Sequence, residues 1–282
     1  MWFPPLGGRN FHRHYNRHVP RVAVFVCLLA SGVGAWLWYY NGGRAHSVQV
    51  VEQPPAQDAW LDQLYSSNPA DADAAAHQVE ALGANALPTI HGTFQDPAAS
   101  HQRVKAALKA CAILGPAAAP AIGEVAEQLP DPTLTADAAL ALSFMGRGAF
   151  GPLRDALGSE DPVVRREALR SIGKLKERAP LDARAVVPLL IDRAADADAG
   201  VRTVAATYLG IIHEGGADAV KALMEGLKDS EADVRRAAAA ALGSFAADAE
   251  PAMPALRKAA ADADPDVARE AGVTLVKLQP KR

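Results

Sequence analysis

Cysteine is almost missing from this chain: 282 residues contain only Cys27 and Cys111. One lies in an apolar run and the other in a helical stretch far from it, so no disulfide framework holds the fold, and each reads as a buried thiol. Aromatic residues are scarce as well, at 6% against 50% hydrophobic residues, so the apolar content is mostly Ala, Leu and Val. A sheet protein would be richer in aromatic and β-branched side chains. Alanine favours helix and adds little volume, so a core made from it needs many closely packed helices. No Cys-x-x-Cys-His haem site, glycine-rich phosphate loop or Gly-x-Ser-x-Gly elbow occurs, and Ser171 and Ser244 have no His nearby in sequence. No catalytic residue, cofactor or metal is expected, and the chain does not read as an enzyme.

An excess of positive charge is also lacking. Residues 1–58 carry Arg9, Arg13, Arg17, Arg21 and Arg44 against Glu52 and Asp58, which leaves 24 basic and 30 acidic residues beyond them, a net of −6. A nucleic-acid binder presents a basic face to neutralise phosphates. The body as a whole does not, so nucleic acid is not an expected partner.

Residues 22–40, Val-Ala-Val-Phe-Val-Cys-Leu-Leu-Ala-Ser-Gly-Val-Gly-Ala-Trp-Leu-Trp-Tyr-Tyr, are nineteen positions without a charge. As a helix they would run about 28 Å, close to the hydrocarbon thickness of a bilayer. Trp36, Trp38, Tyr39 and Tyr40 cluster at one end, as interfacial aromatics do, and four arginines precede the run. The reading is one transmembrane helix over 22–40 behind a basic cytoplasmic tail, 1–21. It places the rest of the chain outside a bacterial inner membrane. A cleaved leader ending near Gly43-Arg44-Ala45 is the alternative, giving a secreted body; the long basic leader and bulky aromatic end favour the anchor. Residues 41–58, with paired Gly42-Gly43 and Pro54-Pro55 and no sustained period, read as a linker.

The remainder repeats itself. An apolar residue followed by Gly recurs at Gly83, Gly115, Gly146, Gly173, Gly210 and Gly243, at intervals of 32, 31, 27, 37 and 33 residues. The next interval reaches Val276, where the glycine is lost. Each unit reads as a short amphipathic helix, an Asp-rich turn and a second helix. In the second helices Val164, Ala168, Ile172 and Leu175, then Val201, Ala205, Leu209 and Ile212, then Val234, Ala238, Leu242 and Phe245, follow the spacing of one buried face. Turn aspartates such as Asp161 and Asp229 can cap the following helix. Pro88, Pro120, Pro152, Pro188 and Pro254 fall near first-helix starts, where a missing N–H is harmless. A hairpin this short cannot bury its face alone, so stacked neighbours must complete each core layer. The expected fold is all-α, a right-handed α-α superhelix over 59–279 of about six hairpins and a closing one.

The strings Asp161-Pro162-Val163-Val164-Arg165-Arg166-Glu167-Ala168-Leu169, Asp233-Val234-Arg235-Arg236-Ala237-Ala238 and Ala241-Leu242-Gly243 resemble the short HEAT repeats of the phycobilisome-lyase type. The likeness spans residues 60–278 and is strongest from 148 onward. The signature strings of ankyrin and tetratricopeptide repeats do not appear. His213-Glu214 resembles one of the His-Glu pairs of HEAT-type deoxyhypusine hydroxylase, whose two irons need several such pairs; His77, His91 and His101 have no adjacent Glu. The resemblance implies an α-solenoid scaffold that binds a protein or peptide on a concave face lined by second helices. It also raises an alternative, an enzyme or cofactor chaperone of the bilin-lyase or hydroxylase kind. The candidate partner-binding residues are Arg165, Arg166, Arg202, Arg235, Arg236 and Arg269. For Arg165, Arg202 and Arg235, which occupy equivalent places after a turn Asp, a structural ladder of Arg–Asp pairs between units is the stronger reading.

Overall fold

The computed structural model describes residues 35–41, 44–50, 58–179 and 181–279. They fall in two units, Met1–Gln57 and Asp58–Arg282. In the first, strands Ala35–Asn41 (β1) and Arg44–Val50 (β2) pair antiparallel, with Ala35 opposite Val50 and Asn41 opposite Arg44. This corrects two expectations. The helix expected over 22–40 does not include its last six residues, which are strand; 22–34, like the tail 1–21, lie outside the described residues. The linker expected over 41–58 contains β2, whereas the repeat body is helical as expected. The physical reason is local. Trp36, Trp38, Tyr39 and Tyr40 have strong strand preference, Val48 and Val50 alternate with polar neighbours, and Asn41-Gly42-Gly43 is hairpin-turn chemistry. A membrane anchor therefore has no support from the described residues.

The second unit is helical throughout its described residues and consists of seven helix pairs. In order, they are Ala59–Gln63 (α1) with Pro69–Leu82 (α2), and Leu87–Gln95 (α3) with His101–Leu114 (α4). Next come Ile122–Ala126 (α5) with Thr135–Phe144 (α6), and Phe150–Ala156 (α7) with Pro162–Arg178 (α8). The last three are Ala183–Arg193 (α9) with Ala199–Ile212 (α10), Gly216–Gly226 (α11) with Ala232–Leu242 (α12), and Met253–Ala259 (α13) with Pro265–Leu278 (α14). Each second helix packs on the second helix of the next pair, from α2 through α14, which is the stacking of a solenoid.

The buried positions are those the periodicity marks. Val164, Ala168, Ile172 and Leu175 are at most 3% exposed, and Val201, Ala205 and Leu209 are fully buried. The first helices close each layer with Leu153, Val186, Leu190, Leu223 and Leu256. Asp161, Asp198 and Asp264 cap α8, α10 and α14 by accepting first-turn N–H groups, whereas Glu231, at the same place before α12, makes no side-chain cap. Pro88 and Pro254 sit in first turns, Pro188 lies inside α9, and Pro120 falls in a 3-10 turn before α5. The helical run His101–Ala126 is long and apolar enough to cross a membrane, but half of it is buried within the stack.

The six repeat glycines prove to be two different positions. Gly83, Gly115 and Gly146 follow the ends of their second helices at φ of 53°, 56° and 83°, where an L-residue is strained. After α10 and α12 a positive φ is carried by non-glycine residues, His213 (φ 40°), in the left-handed helical region, and Ala246 (φ 45°). Gly173, Gly210 and Gly243 lie one turn earlier, where the next second helix comes close. A Cβ on Gly210 would lie 2.7 Å from Ala241 Cα, and one on Gly173 would overlap the Tyr208 ring. The short interval of 27 residues between Gly146 and Gly173 is the switch from one position to the other.

Two outcomes separate these roles in thermal or urea melts. Gly210→Leu and Leu242→Ala should each destabilise the stack, the latter by about 2–5 kcal/mol because Leu242 is fully buried. Ala246→Gly should instead stabilise it, by up to about 1 kcal/mol, by relieving a positive φ. A stabilising Gly210→Leu would refute the close approach of α10 and α12.

Candidate functional site

Arg165, Arg202 and Arg235 follow the first buried valine of α8, α10 and α12 and turn into the space between units. Arg165 donates from Nε and Nη2 to Asp196 at 3.0 and 2.7 Å, and from Nη1 to the Ser159 and Glu160 carbonyls, both at 2.9 Å. Arg202 does the same to Asp229 at 2.7 and 2.8 Å and to the Asp196 and Ala197 carbonyls. Arg235 repeats it on Asp262 at 2.8 and 2.9 Å and on the Asp229 and Ser230 carbonyls. Each guanidinium thus fastens its own turn to the turn of the next unit through a two-point carboxylate pair. The aspartates in turn accept the N–H of Asp198, Glu231 and Asp264, all at 2.9 Å.

The ladder has definite ends. Ser159 stands where later units have the aspartate, and its hydroxyl accepts the Asp161 N–H at 3.2 Å. In α14 the arginine position is Ala268, with no described unit beyond it to hold. Burial alone would raise the Asp196 carboxyl, but Arg165 and the Asp198 amide outweigh it and hold it below the ordinary carboxylate value. Asp229 and Asp262 are lowered first by their hydrogen bonds from Arg202 and Arg235.

The other three candidates lie on the exposed side of the second helices. Arg166 approaches Glu167 at 3.5 Å, Arg236 pairs with Asp233 at 2.9 Å, and Arg269 pairs with Asp266 at 2.7 Å. The structure therefore divides the six, three inside the ladder and three on the surface, and gathers no site from them. It adds residues that sequence reasoning missed. Arg166, Arg170, Lys174 and Arg178 recur every fourth position and so share one face of α8, a helix with six basic and two acidic residues. That spacing was a readable signal. Phe144 was not, because it belongs to another helix: its ring lies 4.2 Å from the Arg178 guanidinium. A groove of roughly 530 Å³ opens there, lined among others by Ile113, Pro116, Phe144, Arg147, Leu175 and Arg178.

The polar residues considered for metal chemistry are dispersed. His91 Nδ1 lies 2.7 Å from Glu124, His101 lies 3.3 Å from Asp131, and His213 ends α10 with Nδ1 3.0 Å from the Ile211 carbonyl oxygen. Among the described residues no three His, Cys, Asp or Glu side chains converge. Burial, with Glu124 adding to it, pushes the Cys111 thiol up to about 12, so it is held neutral and unreactive.

The HEAT-repeat family matches residues 119–210, 150–242 and 187–277, which together span more than half of the chain. The chain belongs to the HEAT-repeat family. No curated protein matches this HEAT-repeat chain. Among solved structures it is similar to an engineered protein at 20% identity and a TM-score of 0.45, over 79% of this chain and 96% of that one. It is also similar to the complex of CpcE and CpcF of phycocyanin lyase from Nostoc sp., at 24% identity and a TM-score of 0.46, over 55% of this chain and 98% of that one. A designed armadillo repeat protein in complex with the peptide (KR)4 matches at 19% identity and a TM-score of 0.42, over 79% of this chain and all of that one.

The ladder makes a checkable statement about stability in this HEAT-repeat stack. The Arg202 and Asp229 side chains are only 15% and 13% exposed, so Arg202→Ala, Asp229→Ala and the double variant should show a coupling of about 1–2 kcal/mol in urea melts. The three ladder aspartates have lowered pKa values, so their contribution is complete above the ordinary 3.8 and is lost as pH falls through the lowered values. The parent should lose stability on acidification more steeply than Arg202→Ala. Parallel pH profiles would remove the ladder from the account of stability.

Proposed function

We propose that this HEAT-repeat protein is an interaction scaffold without a reaction centre, and that its partner protein docks across the exposed surface of the second helices. One observation carries the reading. Among the described residues six large apolar side chains are left exposed, and five of them, Leu140, Val163, Ile211, Val273 and Val276, lie on second helices. Large apolar side chains left exposed on the same helix of successive units support a contact surface running along the second helices. The basic row on α8 and the surface arginines Arg166, Arg236 and Arg269 lie on the same set of helices, and give that surface charge to select a partner. In this proposal the second helices form the concave side of the stack.

A photo-crosslinking residue placed at Thr207, exposed on α10, should form discrete adducts in cells, while one at Lys221, exposed on α11, should not. Equal adducts at both, or none at Thr207, would discard the second-helix surface.

The location belongs to the same proposal. The arginines at 9, 13, 17 and 21 and the apolar residues that follow are read as a segment that directs the solenoid across a bacterial inner membrane. Protease added to intact spheroplasts should digest the solenoid. Protection until lysis would place it on the cytoplasmic side instead.

A further inference from the structure

Positive charge on the second helices is not evenly available. Arg166 and Arg170 share Glu167, at 3.5 and 2.9 Å, and Arg236 and Arg269 each hold an aspartate three residues earlier. Lys105 lies 3.9 Å from Asp137, and Lys109 donates to the Leu64 carbonyl at 2.9 Å. Lys176 reaches Glu214 at 3.4 Å. Among the described residues no carboxylate pairs with Arg147, Lys174 or Arg178. Two of these, Arg147 and Arg178, line the same groove at the C-terminal ends of α4, α6 and α8. Other cations without a carboxylate partner among the described residues, Arg184, Lys221, Arg257, Lys258 and Lys277, lie outside this groove, so what distinguishes it is two guanidinium groups at one apolar cleft of a body with a net charge of −6.

The cleft is organised for a particular chemistry. Ile113, Leu114, Phe144 and Leu175 give it an apolar lining, and Gly115 and Gly146 leave backbone in the wall without side chains. A volume near 530 Å³ lies within the range of sites that take one small ligand or a large side chain with its backbone. The Arg178 guanidinium lies over the Phe144 ring, its central carbon 4.2 Å from the ring centroid. A cation–π contact uses none of the guanidinium N–H groups as a hydrogen-bond donor to an acceptor atom, so they are left to bind a carboxylate, at two points where it approaches in the guanidinium plane. Holding the guanidinium in place beforehand reduces the entropy lost on binding.

We infer that this groove binds an acidic linear segment of the partner protein, with a large apolar side chain in the cleft and neighbouring carboxylates on Arg147 and Arg178. The inference rests on the scaffold reading above and gives the partner its chemistry.

The test uses the full chain and fluorescence anisotropy with a short labelled peptide of glutamates around one phenylalanine. Two further peptides replace the glutamates by lysine or the phenylalanine by serine. The acidic Phe peptide should bind, and more weakly as salt rises. The lysine peptide should not bind, and the serine peptide should bind about tenfold more weakly, or about 1.4 kcal/mol. The double variant Arg147→Ala/Arg178→Ala should also lose about tenfold, and Arg178→Lys should recover part of that loss. The double variant Lys221→Ala/Lys258→Ala, exposed on the first helices α11 and α13 and away from the groove, should bind as the parent does. Matching melting curves would confirm that each variant is folded.

Absence of acidic-peptide binding, equal binding of the lysine peptide, or indifference to the Arg147/Arg178 variant would overturn the inference. So would tighter binding of phosphatidylglycerol vesicles or of a single-stranded oligonucleotide than of the peptide. Adducts at Thr207 without peptide binding would leave the scaffold standing and remove only this assignment.

Discussion

Everything in the helical unit depends on how closely consecutive second helices approach. No pair of short helices here has enough apolar surface to form a core by itself, so each relies on its neighbours to exclude water. The approach is closest where side chains vanish. Gly173 meets the Tyr208 ring, Gly210 meets Ala241, and Gly243 meets Thr274 and Lys277 of the following unit. The abundance of alanine has the same meaning, since Ala168, Ala205, Ala238 and Ala271 are all fully buried at matching places in their helices. Small residues bring backbones together, and dispersion contacts accumulate over the whole length of the stack.

That closeness sets the role of the charged turns. Where units stack at a fixed offset, a long side chain from one turn always finds the next turn at the same distance, and Arg165, Arg202 and Arg235 use this identically. Each guanidinium also holds two backbone carbonyls of its own turn, so the ladder both orders the turns and joins them. Its charge is neutralised internally by Asp196, Asp229 and Asp262. Two arginines only one residue apart thus differ in place, Arg165 joining neighbouring turns through Asp196 and Arg166 lying beside Glu167 on the surface of α8.

The N-terminal strands show where a single signal misleads. Nineteen uncharged residues satisfy the length requirement of a bilayer helix. Length says nothing of local preference, however, and the end of that run is aromatic and followed by turn residues. The described strands Ala35–Asn41 and Arg44–Val50 reflect that preference. The glycines taught a related lesson within the body. A recurring Leu-Gly or Ile-Gly pair looked like one repeating feature, although Gly115 answers a backbone demand for positive φ and Gly210 a packing demand for empty space.

The sequence by itself determined the helical repeat, its buried faces and the Arg–Asp ladder. Each is a local pattern, a period of three to four residues or a fixed distance between a turn Asp and an Arg, that recurs until it is unmistakable. The basic row of α8, a four-residue spacing, was open to the same kind of reading although sequence reasoning missed it. Only the tertiary structure decided that Arg178 of one helix lies over the Phe144 ring of another, that Arg147 faces the same cleft, and that the repeat glycines are of two kinds. Those facts depend on the offset between stacked units, and that offset arises from the packing of many small side chains at once rather than from any residue that can be read alone.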